Sequence, residues 1–191
     1  LEDFRRWTRS DDFPEVGRID FLQGRIEVDM QAEDLYAHGS AKVAILGTLF
    51  VINDTEDLGE LFSDRTRIAS DSAGLSCEPD IVFLTHETLA SDRIRLVPKA
   101  GSTDRYVEIE GGPDLVVEIV SDSSVNKDTR RLPEAYFQAG VTELWLVDAR
   151  GDDLVFDIRL SGSDSFESVA FYVDGYRRST VFNRSFQLGR T

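Results

Sequence analysis

The sequence GGPDLVVEIVSDSSVNKDTRRLPEAYFQAGVTELWLVDAR, residues Gly111–Arg150, decides the fold. It opens with a β-branched apolar run, Leu115–Val120, between Gly-Gly-Pro and a Ser/Asp-rich turn, which is typical of a buried strand. A segment with one apolar side follows and stops at Gly140, as helices often do. A second apolar run, Glu143–Val147, predicts another buried strand. Because strand, helix and strand in this order form a crossover unit, the two strands are expected to be parallel neighbours in an α/β sheet.

A single carboxylate, Glu118, interrupts the first apolar run. An ionised carboxylate inside a buried strand is costly unless charged or hydrogen-bonding partners surround it. The sequence therefore marks Glu118 as a residue that needs a functional explanation.

The rest of the chain predicts helices and a hairpin before this unit and antiparallel strands after it. The predicted elements before it are a helix over Leu1–Ser10, a hairpin of Arg18–Leu22 and Arg25–Met30, a helix over Glu33–Ile52, and strands over Arg65–Ala69 and Ile81–Leu84. The polar stretch Asp92–Glu110 is predicted to be a surface excursion. The predicted C-terminal strands are Leu154–Leu160, Ser168–Val173 and Ser179–Phe182. We expect one α/β domain over residues 1–191, with a mixed β-sheet flanked by helices and additional C-terminal antiparallel strands.

Composition favours a soluble cytoplasmic protein. Hydrophobic residues make up 41% of the chain, and no apolar run approaches the ~20 residues that cross a bilayer, so no membrane partner is expected. The first residues carry charges rather than an apolar leader. The one cysteine, Cys77, cannot form an internal disulfide and is expected to be a small buried residue.

The net charge of −15 comes from 36 acidic and 21 basic residues. Such a charge repels phosphate backbones unless basic residues gather on one face or cations intervene. This argues against a high-affinity nucleic-acid scaffold, but it is compatible with an enzyme that holds divalent metal among carboxylates. A lysine-dependent mechanism has few candidates, because the lysines are Lys42, Lys99 and Lys127.

Two predicted strands begin with the same pair, Pro79-Asp80 and Pro113-Asp114. If these strands are antiparallel neighbours, Asp80 approaches Glu118, while Asp114 lies at the far end. Two carboxylates that converge at a sheet edge offer oxygen ligands to Mg²⁺. Pro-Asp is also a common strand cap, so the pattern alone leaves both interpretations open.

The segments EPDIVFL, GGPDLVVEIVSDSS and YFQAGVTELWLVDAR together resemble the Uma-two-type restriction endonuclease family, within the PD-(D/E)xK nuclease-like superfamily. The hairpin RIDFLQGRIEV is similar to that family's hairpin, and His38 falls where its first long helix often has a histidine. The resemblance spans Arg18–Arg150. It implies a restriction-endonuclease-like core and hydrolysis of DNA phosphodiesters with Mg²⁺ or Mn²⁺. Nucleases of this fold commonly act as dimers because DNA has two strands, so a homodimer is expected.

By motif position, the resemblance implies that Asp80 and Glu118 hold the metal and that Asp20 is an accessory carboxylate. The superfamily lysine stands two residues after the acid, where this chain has Val120. The family generally moves that lysine onto the following helix, where this chain has Leu132. The usual lysine is therefore absent.

Lys127 and Arg130 are the candidates to replace the lysine in the catalytic set. Lys127 lies more than one helical turn from the usual position. Arg130 stays charged near neutrality, so it suits phosphate binding rather than proton transfer. Pro133 predicts that the helix begins near Arg131 or is kinked.

Two alternatives remain open at this point. The chain could be a catalytically inactive descendant that acts as a binding or dimerisation module, which the absent lysine and the acidic charge favour. It could also be a metal-dependent hydrolase of a small phosphorylated molecule. Three residues have plain structural interpretations: His38 as a packed histidine, and Tyr136 and Trp145 as core residues.

Overall fold

The computed structural model describes residues 1–171 and 173–190. Two six-stranded mixed sheets and a small two-stranded sheet form its framework. The helices are α1 Glu2–Thr8, α2 Ala41–Glu56, α3 His86–Leu89 and α4 Leu132–Ala139; single π-helical turns, Leu35–Ser40 and Lys127–Arg131, precede α2 and α4. The strands are β1 Arg18–Leu22, β2 Arg25–Asp29, β3 Gly59–Ser63, β4 Arg67–Ser70, β5 Leu75–Cys77, β6 Ile81–Thr85, β7 Ile94–Pro98, β8 Tyr106–Gly111, β9 Leu115–Ile119, β10 Glu143–Asp148, β11 Val155–Ser161, β12 Phe166–Ser168, β13 Arg177–Ser179 and β14 Arg184–Phe186.

The first sheet has the order β2-β1-β5-β4-β8-β7, and the second has the order β12-β11-β10-β9-β6-β3. In the second sheet, β9 and β10 are parallel and β6 and β9 are antiparallel. The parallel pairing was predicted from the sequence and is confirmed, and the antiparallel pairing is the condition under which Asp80 was expected to approach Glu118. The predicted α/β fold with mixed strand pairing and additional C-terminal antiparallel strands is confirmed. The strands form two mixed sheets rather than one, because β2, β1, β5, β4, β8 and β7 pair with one another and not with the second sheet.

The second sheet is buried on both faces. Along β9, Val116 belongs to one core cluster, whereas Leu115 and Val117 belong to another. The first cluster lies against the first sheet and α4, and the second lies against α2 and the C-terminal strands. Because side chains alternate along a strand, Asp80 and Glu118 fall on the face turned towards the first sheet.

Several predicted boundaries are wrong. The supposed surface excursion Asp92–Glu110 contains β7 and β8, which pair antiparallel in the first sheet. The sequence of β8 looks like a surface segment because it contains Glu108. This carboxylate is nevertheless buried in an ion pair, with Arg5 Nη2 2.6 Å from Glu108 Oε1. Of the strand predicted over Ser179–Phe182, Ser179 ends β13 and residues 180–182 lie in the turn between β13 and β14. Only Ser168 of the strand predicted over Ser168–Val173 lies in a strand, and Tyr172 lies outside the described residues.

The two helical segments near the site begin with π-helical turns. The helix predicted over Glu33–Ile52 begins at Leu35 and ends at Glu56. Asp34 caps its start, because Asp34 Oδ1 accepts a hydrogen bond of 2.8 Å from the backbone N–H of Tyr36. In α4, Pro133 occupies the first turn, which satisfies the predicted start near Arg131.

One helix in the described part of the chain, Leu35–Glu56, is long and apolar enough to cross a membrane by length and composition alone. This finding differs from the expectation that no apolar segment reaches that length. Its residues Ala41, Ile45 and Leu49 are buried in the core against the second sheet. A core helix of a soluble protein passes the same criterion, so this property does not distinguish the two environments.

Candidate functional site

The strand pairing brings Asp80 and Glu118 together. Ile81 of β6 is opposite Val117 of β9, so the next antiparallel pair is Asp80 with Glu118. Asp80 Oδ2 accepts a hydrogen bond of 2.8 Å from the backbone N–H of Ile119, which ties the start of β6 to the end of β9. The two carboxylates therefore occupy one face at one edge of the second sheet.

The Arg18 guanidinium links three carboxylates of this region. Its Nη2 lies 3.3 Å from Glu118 Oε2, its Nη1 lies 3.9 Å from Asp80 Oδ1, and its Nε lies 3.4 Å from Asp20 Oδ2. Both Arg18 and Asp20 are on β1, two residues apart and hence on one side of the strand. The first sheet thus supplies the cation that fills the space between the Asp80 and Glu118 carboxylates.

Asp20 is buried and already has partners. Its Oδ1 accepts a hydrogen bond of 3.1 Å from the backbone N–H of Glu78, and its Oδ2 lies 3.1 Å from Lys127 Nζ. Lys127, on the π-helical turn before α4, therefore contacts the site through Asp20. The carboxylate of Asp20 and the ammonium of Lys127 form a second layer behind Asp80 and Glu118.

Glu118 is fully buried and receives a hydrogen bond from the hydroxyl of Tyr136. Burial raises the pKa of Glu118 to about 8, since the Arg18 charge offsets only part of it and the Asp80 and Asp128 charges add to it. Burial also raises the pKa of Asp128, which accepts a hydrogen bond from Ser124. Burial therefore favours the protonated form of both carboxylic acids, although nearby basic side chains oppose it.

Asp80 has a different environment. Lys42 Nζ lies 3.3 Å from its Oδ1, and His38 Nε2 lies 3.4 Å from its Oδ2. Burial alone would raise the pKa of Asp80, but the hydrogen bond from His38 and the charges of Arg18, His38 and Lys42 outweigh it and lower the pKa to about 2. Asp80 is therefore ionised at neutral pH and available to a cation.

A cleft of 620 Å³ opens above Asp80. Its lining includes Asp80, His38, Lys42 and Arg18, whereas Glu118 and Asp20 lie behind the lining. Seven carboxylates line the cleft, from Asp29, Glu33, Asp34, Asp64, Glu78, Asp80 and Asp122. Four arginine and lysine side chains line it, from Arg18, Lys42, Arg65 and Arg150, together with the imidazole of His38. With a surplus of carboxylates, the cleft attracts cations and repels a bare phosphate.

A divalent cation fits these residues by donor chemistry. Asp80 and Glu33 offer carboxylate oxygens, which hard divalent cations prefer, and His38 offers an imidazole nitrogen. The excess of carboxylates in the cleft would be reduced by such a cation.

Apolar side chains occupy the positions where the lysine was expected. Leu132 is buried in the core, and Val120 is buried but lines the cleft. Arg130 is exposed, is not among the residues that line the cleft, and has no ion pair within residues 1–171 and 173–190. Lys127 approaches Asp20, so the lysine nearest Asp80 is Lys42 of α2.

Three side chains of the site were not predicted from the sequence: Arg18, Lys42 and Tyr136. A signal for Lys42 existed, because it follows His38 by four residues and so shares its helix face. Arg18 precedes Asp20 by two residues on a predicted strand, which also places both on one face. The interaction of Tyr136 with Glu118 depends on how α4 packs across β9, which the sequence pattern does not reveal.

The second Pro-Asp pair builds a separate structural cluster. Asp114 accepts hydrogen bonds from Thr85 N at 2.7 Å and Thr88 Oγ1 at 2.8 Å, and Arg93 Nη1 lies 2.9 Å away. This cluster lines a different pocket from the one above Asp80. Asp114 therefore ties α3 and Arg93, the residue before β7, to the second sheet.

Comparison with known proteins agrees with this architecture. The family model described as "Uma2: Putative restriction endonuclease" matches residues 1–163. The crystal structure of a "putative nuclease belonging to DUF820" from Anabaena variabilis ATCC 29413 aligns with a TM-score of 0.67 and 14% sequence identity, covering 95% of this chain and 89% of that one. At that identity the likeness shows a shared fold. No curated protein matches the sequence. On the extent of the family match, the chain belongs to the Uma2 family of restriction-endonuclease-like proteins.

Proposed function

We propose that the protein is a DNA endonuclease that depends on a divalent metal ion, with the reacting phosphodiester held in the cleft above Asp80. The observation that carries this proposal is an ionised Asp80 that lines the cleft, next to Glu118 and within reach of three basic side chains. Family membership supports the reaction class.

The proposed metal ligands begin with Asp80, which faces the cleft, and its neighbour Glu118. Asp20 is the accessory carboxylate, which acts through its contacts with Arg18 and Lys127. When bound, Mg²⁺ or Mn²⁺ would supply Lewis-acid stabilisation of the negative charge on the phosphodiester oxygens. Glu118 can give up an oxygen only if the Arg18 guanidinium moves away from it.

Lys42 is our candidate for the task of the absent lysine. Its ammonium lies 3.3 Å from Asp80 Oδ1, and nearby acidic groups raise its pKa despite the opposing effect of burial, so it stays charged at neutral pH. A charged ammonium at that position can bind a phosphate oxygen and stabilise developing negative charge. Lys127 would keep Asp20 and Arg18 in place, and Arg130 would contact the DNA backbone outside the cleft.

The acidic cleft indicates how DNA would bind. A phosphate backbone meets more carboxylates than basic groups in the lining, so binding without divalent cations is expected to be weak. Divalent cations would neutralise part of that charge and admit the backbone. Binding of DNA should therefore require the same ions as cleavage.

A second candidate function is an inactive descendant that acts as a binding or dimerisation module. The buried Val120 and Leu132 at the lysine positions favour it, as does the Arg18 guanidinium that fills the space between Asp80 and Glu118. In that case Arg18 would take the place of the metal permanently. Cleavage assays separate the two candidates.

We also propose a cytoplasmic homodimer. The exposed apolar side chains Val43, Phe50 and Val51 of α2 would form the contact between the two copies. Size-exclusion chromatography with light scattering measures the mass directly. A Phe50→Glu variant should be monomeric if α2 forms the contact.

The test of the proposed function is cleavage of supercoiled plasmid in Mg²⁺ or in Mn²⁺. Wild type should nick and linearise the plasmid, Asp80→Asn should lose that activity, and Asp57→Asn, an exposed carboxylate outside the cleft, should retain it. Equal background nicking by wild type and Asp80→Asn would remove the nuclease proposal and favour the binding module.

A further inference from the structure

The groups around His38 form a potential ligand set that does not require Glu118. The ligand atoms of Glu33, His38 and Asp80 all lie within 4.8 Å of one another. His38 stands between the two acids, with Nδ1 3.1 Å from Glu33 Oε2 and Nε2 3.4 Å from Asp80 Oδ2. All three residues line the cleft.

His38 is nearly inaccessible to solvent, with 3% of its surface exposed, yet its Nδ1 has no hydrogen bond of correct direction among the described residues. The Glu33 oxygen near it is close enough but poorly aligned for a hydrogen bond. An imidazole nitrogen that is buried without a hydrogen-bond partner is unfavourable. A cation bound to Nδ1 beside Glu33 would satisfy it, and the Asp80 carboxylate, which lies at Nε2, would have to move to share that ion.

The backbone fixes this arrangement. Asp34 Oδ1 accepts hydrogen bonds from Tyr36 N at 2.8 Å and Ala37 N at 2.5 Å, which sets the start of the π-helical turn that carries His38. Glu33 directly precedes this cap, and its carboxylate lies on the Nδ1 side of the His38 ring. Asp80 is anchored from the other side by the N–H of Ile119.

We propose that Glu33, His38 and Asp80 bind one divalent transition-metal ion of the Mn²⁺ class on the cleft side of Asp80. This inference rests on the proposed function, because it names the ligands of the metal that the nuclease would use. One imidazole with two carboxylates selects Mn²⁺, Co²⁺ or Zn²⁺ over Mg²⁺, which prefers oxygen ligands and bound water. This ligand set replaces the pair of Asp80 and Glu118: Glu118 is here a buried partner of Arg18 and Tyr136, and the Glu118→Gln variant distinguishes the two sets.

Lys42 competes with this ion. Its Nζ lies 3.5 Å from Glu33 Oε1 and 3.3 Å from Asp80 Oδ1, so the ammonium bridges the two acids from the cleft side. An entering cation must displace it or share these oxygens with it. Removal of the ammonium in Lys42→Met should therefore tighten metal binding.

The experiment is titration of the full chain with Mn²⁺, with free ion followed by electron paramagnetic resonance. Wild type should bind one ion, and His38→Ala and Glu33→Gln should each weaken binding by about tenfold or more. Glu118→Gln should stay close to wild type. His86→Ala is the matched control, because His86 also contacts a carboxylate, Asp57 at 3.0 Å, but lies outside the cleft.

A spectroscopic measurement separates ligation from a structural role. Electron spin-echo modulation of the Mn²⁺ complex should show ¹⁴N coupling from an imidazole, and His38→Ala should abolish it. If His38→Ala does not fold, Glu33→Gln, whose side chain is 56% exposed, still decides the affinity prediction.

Three results would overturn the inference. They are the absence of Mn²⁺ binding by wild type, loss of Mn²⁺ binding in Glu118→Gln while His38→Ala keeps it, and a bound ion in wild type that shows no ¹⁴N coupling. Plasmid cleavage on the same samples tests the proposed function separately. Binding with the expected variant pattern but without cleavage would keep the metal site and remove the nuclease.

Discussion

Substitution of Glu118 by Gln tests the electrostatics of the buried site through its effect on stability. Gln has nearly the same shape and can still accept the hydrogen bond from Tyr136, but it cannot ionise. Because burial raises the pKa of Glu118 from 4.5 to about 8, the folded wild type holds a proton that the unfolded chain releases above pH 4.5. The folded state binds more protons in that window, so wild-type stability falls as pH rises from 4.5 to 8.

The expected magnitude follows from the pKa difference. Each pH unit within the window costs about 1.4 kcal/mol of unfolding free energy. Between pH 4.5 and pH 7 the wild type should lose about 3 kcal/mol relative to Glu118→Gln, a large share of the ~5–15 kcal/mol that stabilises a typical domain. Below pH 4.5 the difference between the two proteins should be constant.

Urea denaturation at a series of pH values measures this difference. Glu110→Gln is the control, because the pKa of Glu110 shifts in the opposite direction to that of Glu118: the hydrogen bond from Arg5 lowers it despite partial burial. Its difference from wild type should be flat between pH 5 and pH 8. Parallel wild-type and Glu118→Gln curves, or a wild type that gains stability as pH rises, would refute the argument and show that Glu118 is ionised beside Arg18.

Three further predictions concern single side chains. If Lys42 stabilises charge on the phosphate, Lys42→Met should reduce plasmid cleavage at saturating Mn²⁺ by about 100-fold, whereas Lys127→Met should reduce it less; equal effects would contradict this assignment. Cys77 is fully buried and its burial raises the thiol pKa, so a thiol reagent such as DTNB should react with it only when the protein is unfolded, and rapid labelling of native protein would contradict its placement. Gly112→Ala should destabilise the fold by about 1–3 kcal/mol, because its Cβ would meet the backbone of Gly140 at 2.2 Å, whereas Gly47→Ala, in open space on α2, should stabilise it by about 1 kcal/mol. Thermal melts measure both changes, and equal melting temperatures for the two variants would contradict the prediction.

The parts of the fold that the sequence predicted are those with a local hydrophobic signal. The β-branched run that became β9 is fully buried, and the two-residue turn at Gln23 and Gly24 joins β1 and β2 as expected. Parallel pairing of β9 with β10 followed from the crossover helix between them. These features depend on short stretches of chain, which is why a sequence pattern could indicate them.

The missed strands depend on distant partners. In β8, Glu108 reads as a surface residue, but Arg5 from the N-terminal helix pairs with it inside the protein. The short β5 appears as part of a loop until β1 and β4 pair with its two edges. Division into two sheets also follows from long-range pairing that periodicity cannot show.

The same distinction holds at the site. Asp80 and Glu118 could be identified because each stands at a conspicuous place in a strand pattern. Lys42 comes from α2, and its approach to Asp80 depends on how the helix lies across the end of β6. His38 was interpreted as a packed histidine; it is buried as that interpretation requires, but its unsatisfied Nδ1 beside Glu33 became visible only in the structure.

The central claim is that Asp80 binds a divalent cation in the cleft. The most direct measurement is an anomalous difference map from a crystal of the full chain soaked in Mn²⁺. The account predicts one peak at bonding distance from a carboxylate oxygen of Asp80, and no such peak in crystals of Asp80→Asn. A map with no peak at Asp80 in the wild-type crystal, while the soak labels other carboxylates, would contradict it.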